Sequence, residues 1–225
     1  MEVPVNKAPL FAALDVESAA ALRSSMVEVK ARKGDVIFRE GEPGDRLYVI
    51  TSGKVTLGHG SNDGRETLIA LLGPGDMFGE LSLFDPGART ATATALTNAT
   101  VLGLSREALR PLLISRPEVA EKLLQALAQR LRRTEGALAD MIFIDVPGRV
   151  AKTLLELAQK FGIVQDESLL VEHDMTQEEL AQLVGASRET VNKALADFTV
   201  RGWVRVEQKS VAILDEDRLQ QRAKL

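Results

Sequence analysis

The chain contains no cysteine and only two histidines among its 225 residues. The first absence removes disulfides, thiol nucleophiles, iron–sulfur clusters and cysteine-based zinc sites together. It suits a reducing compartment, the cytoplasm. The scarcity of histidine leaves little for imidazole chemistry. His59 and His173 stand apart with no metal-ligand spacing, and each reads as a surface residue. No apolar run approaches the roughly 20 residues that cross a bilayer, so no membrane partner is expected. The N-terminal MEVPVNKAPLFAALDVES lacks the basic stretch and apolar core of a secretion signal. Positive charge is short too. Lys and Arg number 28 against 32 Asp and Glu, a net charge of −4, so any nucleic-acid contact must come from a local patch.

What is present describes a soluble globular protein, 45% hydrophobic and 27% charged, long enough for two modest domains. A short helix is expected over Ser18 to Met26. Residues 28–108 then alternate short apolar runs (DVIF, RLYVITSG, KVTLG, TLIALLG, ATVLGL) with turns (REGEPGD, GSNDGRE, GPGD). Even spacing of this kind predicts a compact antiparallel β-roll, jelly-roll-like. From Pro117 the period changes. Ala120, Leu124, Leu127, Leu131, Thr134, Leu138 and Met141 form a seam repeating about every 3.5 residues, with Arg130, Arg132 and Arg133 off it. A long helix with so narrow a stripe wants a second copy of itself, the alternative being a helix laid on the roll. FIDVPG, Phe143 to Gly148, breaks it, and Asp145 is placed to cap the next helix.

MTQEELAQLVGASRETVNKALADF carries the most specific local signal. Thr176 with Glu179 makes a capping box, Gly185 can end that helix in a left-handed conformation, and Ser187 can cap the next. Val191, Ala194, Leu195 and Phe198 give the second helix a buried face. Arg188, Glu189, Asn192 and Lys193 fall on the other side near its start, where side chains of a recognition helix reach base edges. An ordinary solvated face is the alternative. WVRVEQKSVAIL, Trp203 to Leu214, follows as a two-strand hairpin, a wing.

Enzyme motifs fail on inspection. GPGDMFG has Phe78 where a dinucleotide fingerprint needs its third glycine, and TSGKV lacks the upstream glycine and the hydroxyl residue of a P-loop. GELSLFDPGARTATA, Gly79 to Ala93, suits an anionic, sugar-bearing ligand instead. Arg89 offers a planar fork for phosphate, Thr90 a hydroxyl, Gly79 close backbone approach, and Glu80 an acceptor for a ribose hydroxyl. A purely structural Glu80–Arg89 ion pair is the competing reading.

These segments, in this order, resemble the cAMP receptor protein (CRP/FNR) family of bacterial regulators, in particular its actinobacterial cAMP-responsive members. GELSLFDPGART is similar to the family's phosphate-binding cassette, and GASRETVNKAL and FIDVPGRVAKTLLELA to its DNA-binding half. The resemblance implies an α+β chain in three parts. These are a cyclic-nucleotide-binding β-roll over 1–116, a long dimerisation helix and hinge over 117–144, and a winged helix-turn-helix domain over 145–225. It implies cAMP as allosteric effector, a homodimer, double-stranded DNA with a palindromic TGTGA/TCACA-like site, RNA polymerase as partner, and no catalysis. Gly79, Glu80, Leu81 and Ser82 would line the nucleotide, with Arg89 and Thr90 on the phosphate and Thr134 at the adenine. Glu135 stands where the best-known member has serine. Arg188 and Glu189 match base readers, Lys193 stands where arginine is usual, and Thr176 and Ser187 match phosphate contacts. A member of the family that binds DNA without a ligand is the alternative.

Overall fold

The structure, a computed structural model, describes residues 8–12, 14–60, 66–85, 87–165 and 168–224. Most of the expected GSNDGRE turn lies outside them. The chain divides into two units, Met1–Arg132 and Arg133–Leu225. That division falls inside the long helix, which the sequence reading treats as a part of its own.

In the first unit, α1 (Val16–Ser24) starts earlier than expected because Asp15 caps it, its carboxylate accepting from the Ser18 N–H at 2.8 Å. Eight strands follow: β1 (Val27–Ala31), β2 (Val36–Phe38), β3 (Arg46–Ser52), β4 (Val55–Gly60), β5 (Glu66–Leu72), β6 (Met77–Phe78), β7 (Thr92–Ala95) and β8 (Ala99–Ser105). They form two antiparallel sheets, β1-β8-β3-β6 and β2-β7-β4-β5. Four consecutive residues of β3, Leu47 to Ile50, are buried, because its two faces serve two cores. Leu47 and Val49 pack with Leu102 and Leu104 of β8 under Leu22 and Leu109. Tyr48 and Ile50 point the other way, into the roll, with Phe38, Val55, Phe78 and Val101. The period of two along a strand thus sorts one hydrophobic run between two clusters. The sequence reading did not anticipate the one-turn helix α2 (Leu81–Phe84) or α3 (Arg106–Ser115), which is capped by Ser105.

Helix α4 (Pro117–Phe143) has 27 residues. Val119 and Leu123 anchor its first turns in the core, while Leu124, Leu131, Leu138 and Met141 of the expected seam are exposed. The break after it is brief, Ile144 and Asp145, because Pro147 is accommodated within the first turn of α5 (Val146–Phe161). Asp145 caps α5, accepting from the Gly148 N–H at 2.9 Å.

In the second unit the wing belongs to a larger sheet than expected. Strands β9 (Gly162–Gln165), β10 (Ser168–Glu172), β11 (Val204–Val206) and β12 (Ser210–Ile213) order as β11-β12-β10-β9. Helices α6 (Gln177–Val184) and α7 (Arg188–Val200) form the helix-turn-helix, and α8 (Glu216–Arg222) closes the unit. Arg222 grips the Asp145 carboxylate at 2.7 and 2.5 Å. Chiefly through that bond, the Asp145 pKa lies below the ordinary aspartate value. A depressed carboxylate contributes stability that is complete above its unfolded pKa and is lost as pH falls through the folded one. Asp145→Ala should therefore melt below wild type at neutral pH, by about 1 kcal/mol for the lost cap. The gap should close in acid, as a pH series of thermal melts will read.

Candidate functional site

The site in the first unit begins with a left-handed glycine. Gly79 has φ +75°, and a Cβ there would lie 2.8 Å from Arg89 Nη1. Its carbonyl accepts from that same nitrogen at 2.7 Å. Glu80 precedes α2 but makes no cap bond to it, so its carboxylate is directed elsewhere. Arg89 is brought in by backbone pairing: its N–H donates to Glu42 O, and its carbonyl accepts from Gly41 N–H. The REGEPGD turn therefore holds this residue. Gly44 in that turn has no room for a side chain, since a Cβ would sit 2.0 Å from Ser82 Oγ.

Arg89 is 5% exposed and fastened by neutral groups alone. Nη1 donates to Gly79 O and to Ser82 Oγ (2.9 Å), and Nη2 to Arg46 O (2.9 Å). Its guanidinium lies 4.2 Å from the centroid of the Phe38 ring. Nε is buried with no partner among the described residues. Burial lowers the Arg89 pKa from its ordinary value, the cost of holding a cation out of water. The Glu80–Arg89 ion pair, the competing reading above, is not formed. Glu80, 1% exposed, instead accepts from Arg130 of α4, Oε1 to Nη1 at 2.6 Å, and its Oε2 is buried without a partner among the described residues.

Arg89 and Glu80, each with one buried polar atom unmet, thus line one recess. Phe38, Leu57, Gly79, Glu80, Leu81, Ser82, Arg89, Thr90, Ala91 and Arg130 line it, and it opens to solvent. Unmet buried polar atoms cost about 1–3 kcal/mol each, more when charged, and an anion bearing hydroxyls satisfies both. Leu57, Phe38 and Leu81 add apolar wall. The residues present fit a cyclic nucleotide: a donor for phosphate, an acceptor for a sugar hydroxyl. Arg130 was missed from sequence, where it is one more charge off the seam. Thr134 and Glu135 are exposed on α4, in the second unit.

The second unit carries the other candidate surface. Both halves of the Thr176–Glu179 capping box are made, at 3.2 and 2.7 Å. Gly185 has φ +72°, and Ser187 caps α7 by accepting from Thr190 N–H at 3.2 Å. Val191, Ala194, Leu195 and Phe198 are buried as expected. Thr176, Ser187, Arg188, Glu189 and Lys193 are exposed, and Lys193 Nζ sits 2.9 Å from Glu189 Oε1. Asn192 departs from expectation: it is half-buried, and its Oδ1 is enclosed with no partner among the described residues. His173 departs further. It is 4% exposed, and its Nδ1 accepts from Met175 N–H at 3.1 Å. Val171, His173 and Met175 alternate into the core at the end of β10, a period-two signal that its polarity hides.

Among the described residues no helix is long and apolar enough to cross a membrane, and no cluster of metal-ligating side chains occurs. The cyclic nucleotide-binding domain family matches residues 28–116, and the Crp-like helix-turn-helix domain family residues 148–222. A CRP-like cAMP-activated global transcriptional regulator from Mycobacterium tuberculosis is 55% identical over 224 residues, all of both chains. The cyclic AMP receptor protein of Thermus thermophilus is 37% identical, covering 92% of this chain and 95% of its own. Among solved structures, FixK2 from Bradyrhizobium japonicum superimposes with TM-score 0.78 at 25% identity, over 87% of this chain and 96% of that one. The Thermus thermophilus catabolite activator protein does so with TM-score 0.56 at 35% identity, over 96% and 99%. The Mycobacterium tuberculosis relative is a transcriptional regulator by name. With more than half its residues identical over its whole length to such a protein, the chain belongs to the CRP/FNR family of transcription regulators.

Proposed function

We propose that the chain is a cAMP-responsive regulator that binds DNA as a homodimer on a palindromic operator, in the cytoplasm and in contact with RNA polymerase. The observation that carries the effector reading is Arg89, a buried cation held by three uncharged acceptors with its Nε unmet, beside a Glu80 oxygen that is also unmet. Arg89 with Thr90 would take the cyclic phosphate and Glu80 the ribose. The names of the relatives favour cAMP. The exposed α4 seam supports pairing with a second copy. Two α7 helices about one DNA turn, ~34 Å, apart would then read an inverted repeat.

Effector binding acts by favouring one arrangement of the paired helices over another, a coupling of about 1–3 kcal/mol. Fluorescence anisotropy on a duplex with inverted TGTGA/TCACA half-sites tests this. Saturating cAMP should raise affinity by roughly 5- to 150-fold, with cGMP run in parallel. Moving the half-sites apart by half a helical turn should abolish the gain. No heat on titrating either nucleotide, together with equal DNA affinity in both conditions, would leave a ligand-independent regulator.

A further inference from the structure

Three cations fasten the short junction between α4 and α5, and one of them reaches further. Lys152 pairs with Asp140 in the last turn of α4, and Arg222 holds Asp145. Arg149, in the first turn of α5, uses all three guanidinium nitrogens. Nη1 donates to Ile144 O at 3.0 Å, Nε to Val184 O at 3.2 Å, and Nη2 to Gly185 O at 3.1 Å. These carbonyls belong to two separate helix ends. Ile144 follows α4, while Val184 and Gly185 end α6 at the turn into α7.

The last carbonyls of a helix have no partner within it and carry the negative end of its dipole. A planar cation with donors on every nitrogen can satisfy two such ends at once. An ammonium, a point charge on a flexible stem, cannot span them. Met141 of α4 lies close by: a Cβ on Gly185 would stand 3.1 Å from its Cε. The sequence reading made FIDVPG the break after the long helix, and these contacts fasten that break.

We propose that Arg149 is a positioning residue for DNA recognition: it clamps the end of α4 to the helix-turn-helix turn, so that the last turns of α4, the junction and the α6–α7 turn move as one body. The direction in which α4 ends then sets where Ser187 and Arg188 point. This rests on α7 being the DNA-reading helix, but the clamp can be tested without DNA.

Hydrogen exchange by mass spectrometry on the full chain, as wild type, Arg149→Gln and Arg149→Lys, provides that test. The amides to follow are Ile144, bonded to Asp140 O, Gly185, bonded to Gln182 O, and Ala186, bonded to Ala181 O. In both variants they should exchange together, about tenfold faster or more, since charged hydrogen bonds are lost at both ends. Residues 154–158 of α5 should stay protected. Restoration of both segments by lysine, or a response in one segment alone, would overturn the clamp. The functional arm compares the TGTGA/TCACA duplex with a scrambled one in saturating cAMP. Arg149→Lys should lose about tenfold or more of the preference with cAMP affinity unchanged, and an unaltered preference would also overturn the proposal. If wild type shows no preference for that duplex, the operator reading has failed, and the exchange result alone decides.

Discussion

Arg89→Ala is expected to lose cyclic nucleotide binding, with calorimetric affinity falling about 30-fold to several thousandfold. The estimate follows from the roughly 2–5 kcal/mol cost of truncating one partner of a buried, hydrogen-bonded charge pair. The substitution should do little to the ligand-free protein, because two effects oppose. Alanine gives up three hydrogen bonds and the contact with the Phe38 ring. It also removes a buried cation that hydrogen-bonds to no carboxylate among the described residues, and whose charged form burial already penalises. Thermal shift separates the cases: a similar melting temperature without nucleotide, and none of the rise that cAMP gives wild type. Arg89→Lys tests whether shape or charge matters. A lysine cannot hold Gly79 O, Ser82 Oγ and Arg46 O together and still face a phosphate. Full cAMP affinity in Arg89→Ala would place the anion elsewhere and reduce Gly79 to Ala93 to scaffold.

Arg188→Ala should cost about 1–3 kcal/mol of operator affinity, and the loss should fall on one base pair of each half-site. Arg188 is exposed in the first turn of α7, next to the Ser187 cap, where a planar fork can meet guanine O6 and N7. A competition series over every substitution in the half-site will separate readout from mere charge. Loss of discrimination at one position marks a base reader. A uniform loss, with a salt slope lower by about one, marks a phosphate contact. Glu189 and Lys193 need a different expectation. Their 2.9 Å contact leaves both heavily exposed, so it is worth little by itself. It does leave Lys193 sharing its charge with the carboxylate beside it, so Lys193→Ala should change affinity less than Arg188→Ala.

Local signals carried over into the structure where they were strong. The Thr176 capping box, the left-handed Gly185, the Ser187 cap and the face of Val191, Ala194, Leu195 and Phe198 each depend on residues a few positions apart, and each is present. The runs that became β2, β3, β4, β5 and β8 were readable for the same reason. Shorter pieces were not. The two residues of β6, the single turn of α2 and the four of β9 leave too few positions to express a period. Helix α3 holds Pro111, and α8 is polar apart from Leu219. Inside the recess, Arg130 meets Glu80 across 50 positions of chain, and nothing near either residue announces the other. The partners of Arg149, at Ile144 and at Val184 and Gly185, are main-chain carbonyls, which any residue would supply. Side-chain chemistry was legible at Arg89 and Glu80; which groups would be left unmet depended on packing.

The enclosure of Arg89 also separates how the two ends of this protein feel ionic strength. A guanidinium 5% exposed and lying against an aromatic ring is out of reach of mobile ions, so screening should scarcely weaken its attraction for a phosphate. Arg188, Glu189 and Lys193 on the exposed face of α7 would meet DNA through a counterion atmosphere, whose affinity falls steeply as salt rises. If both proposed sites hold, a rise in salt should release DNA while the nucleotide stays bound, and diluting the salt should restore DNA binding with the nucleotide concentration unchanged.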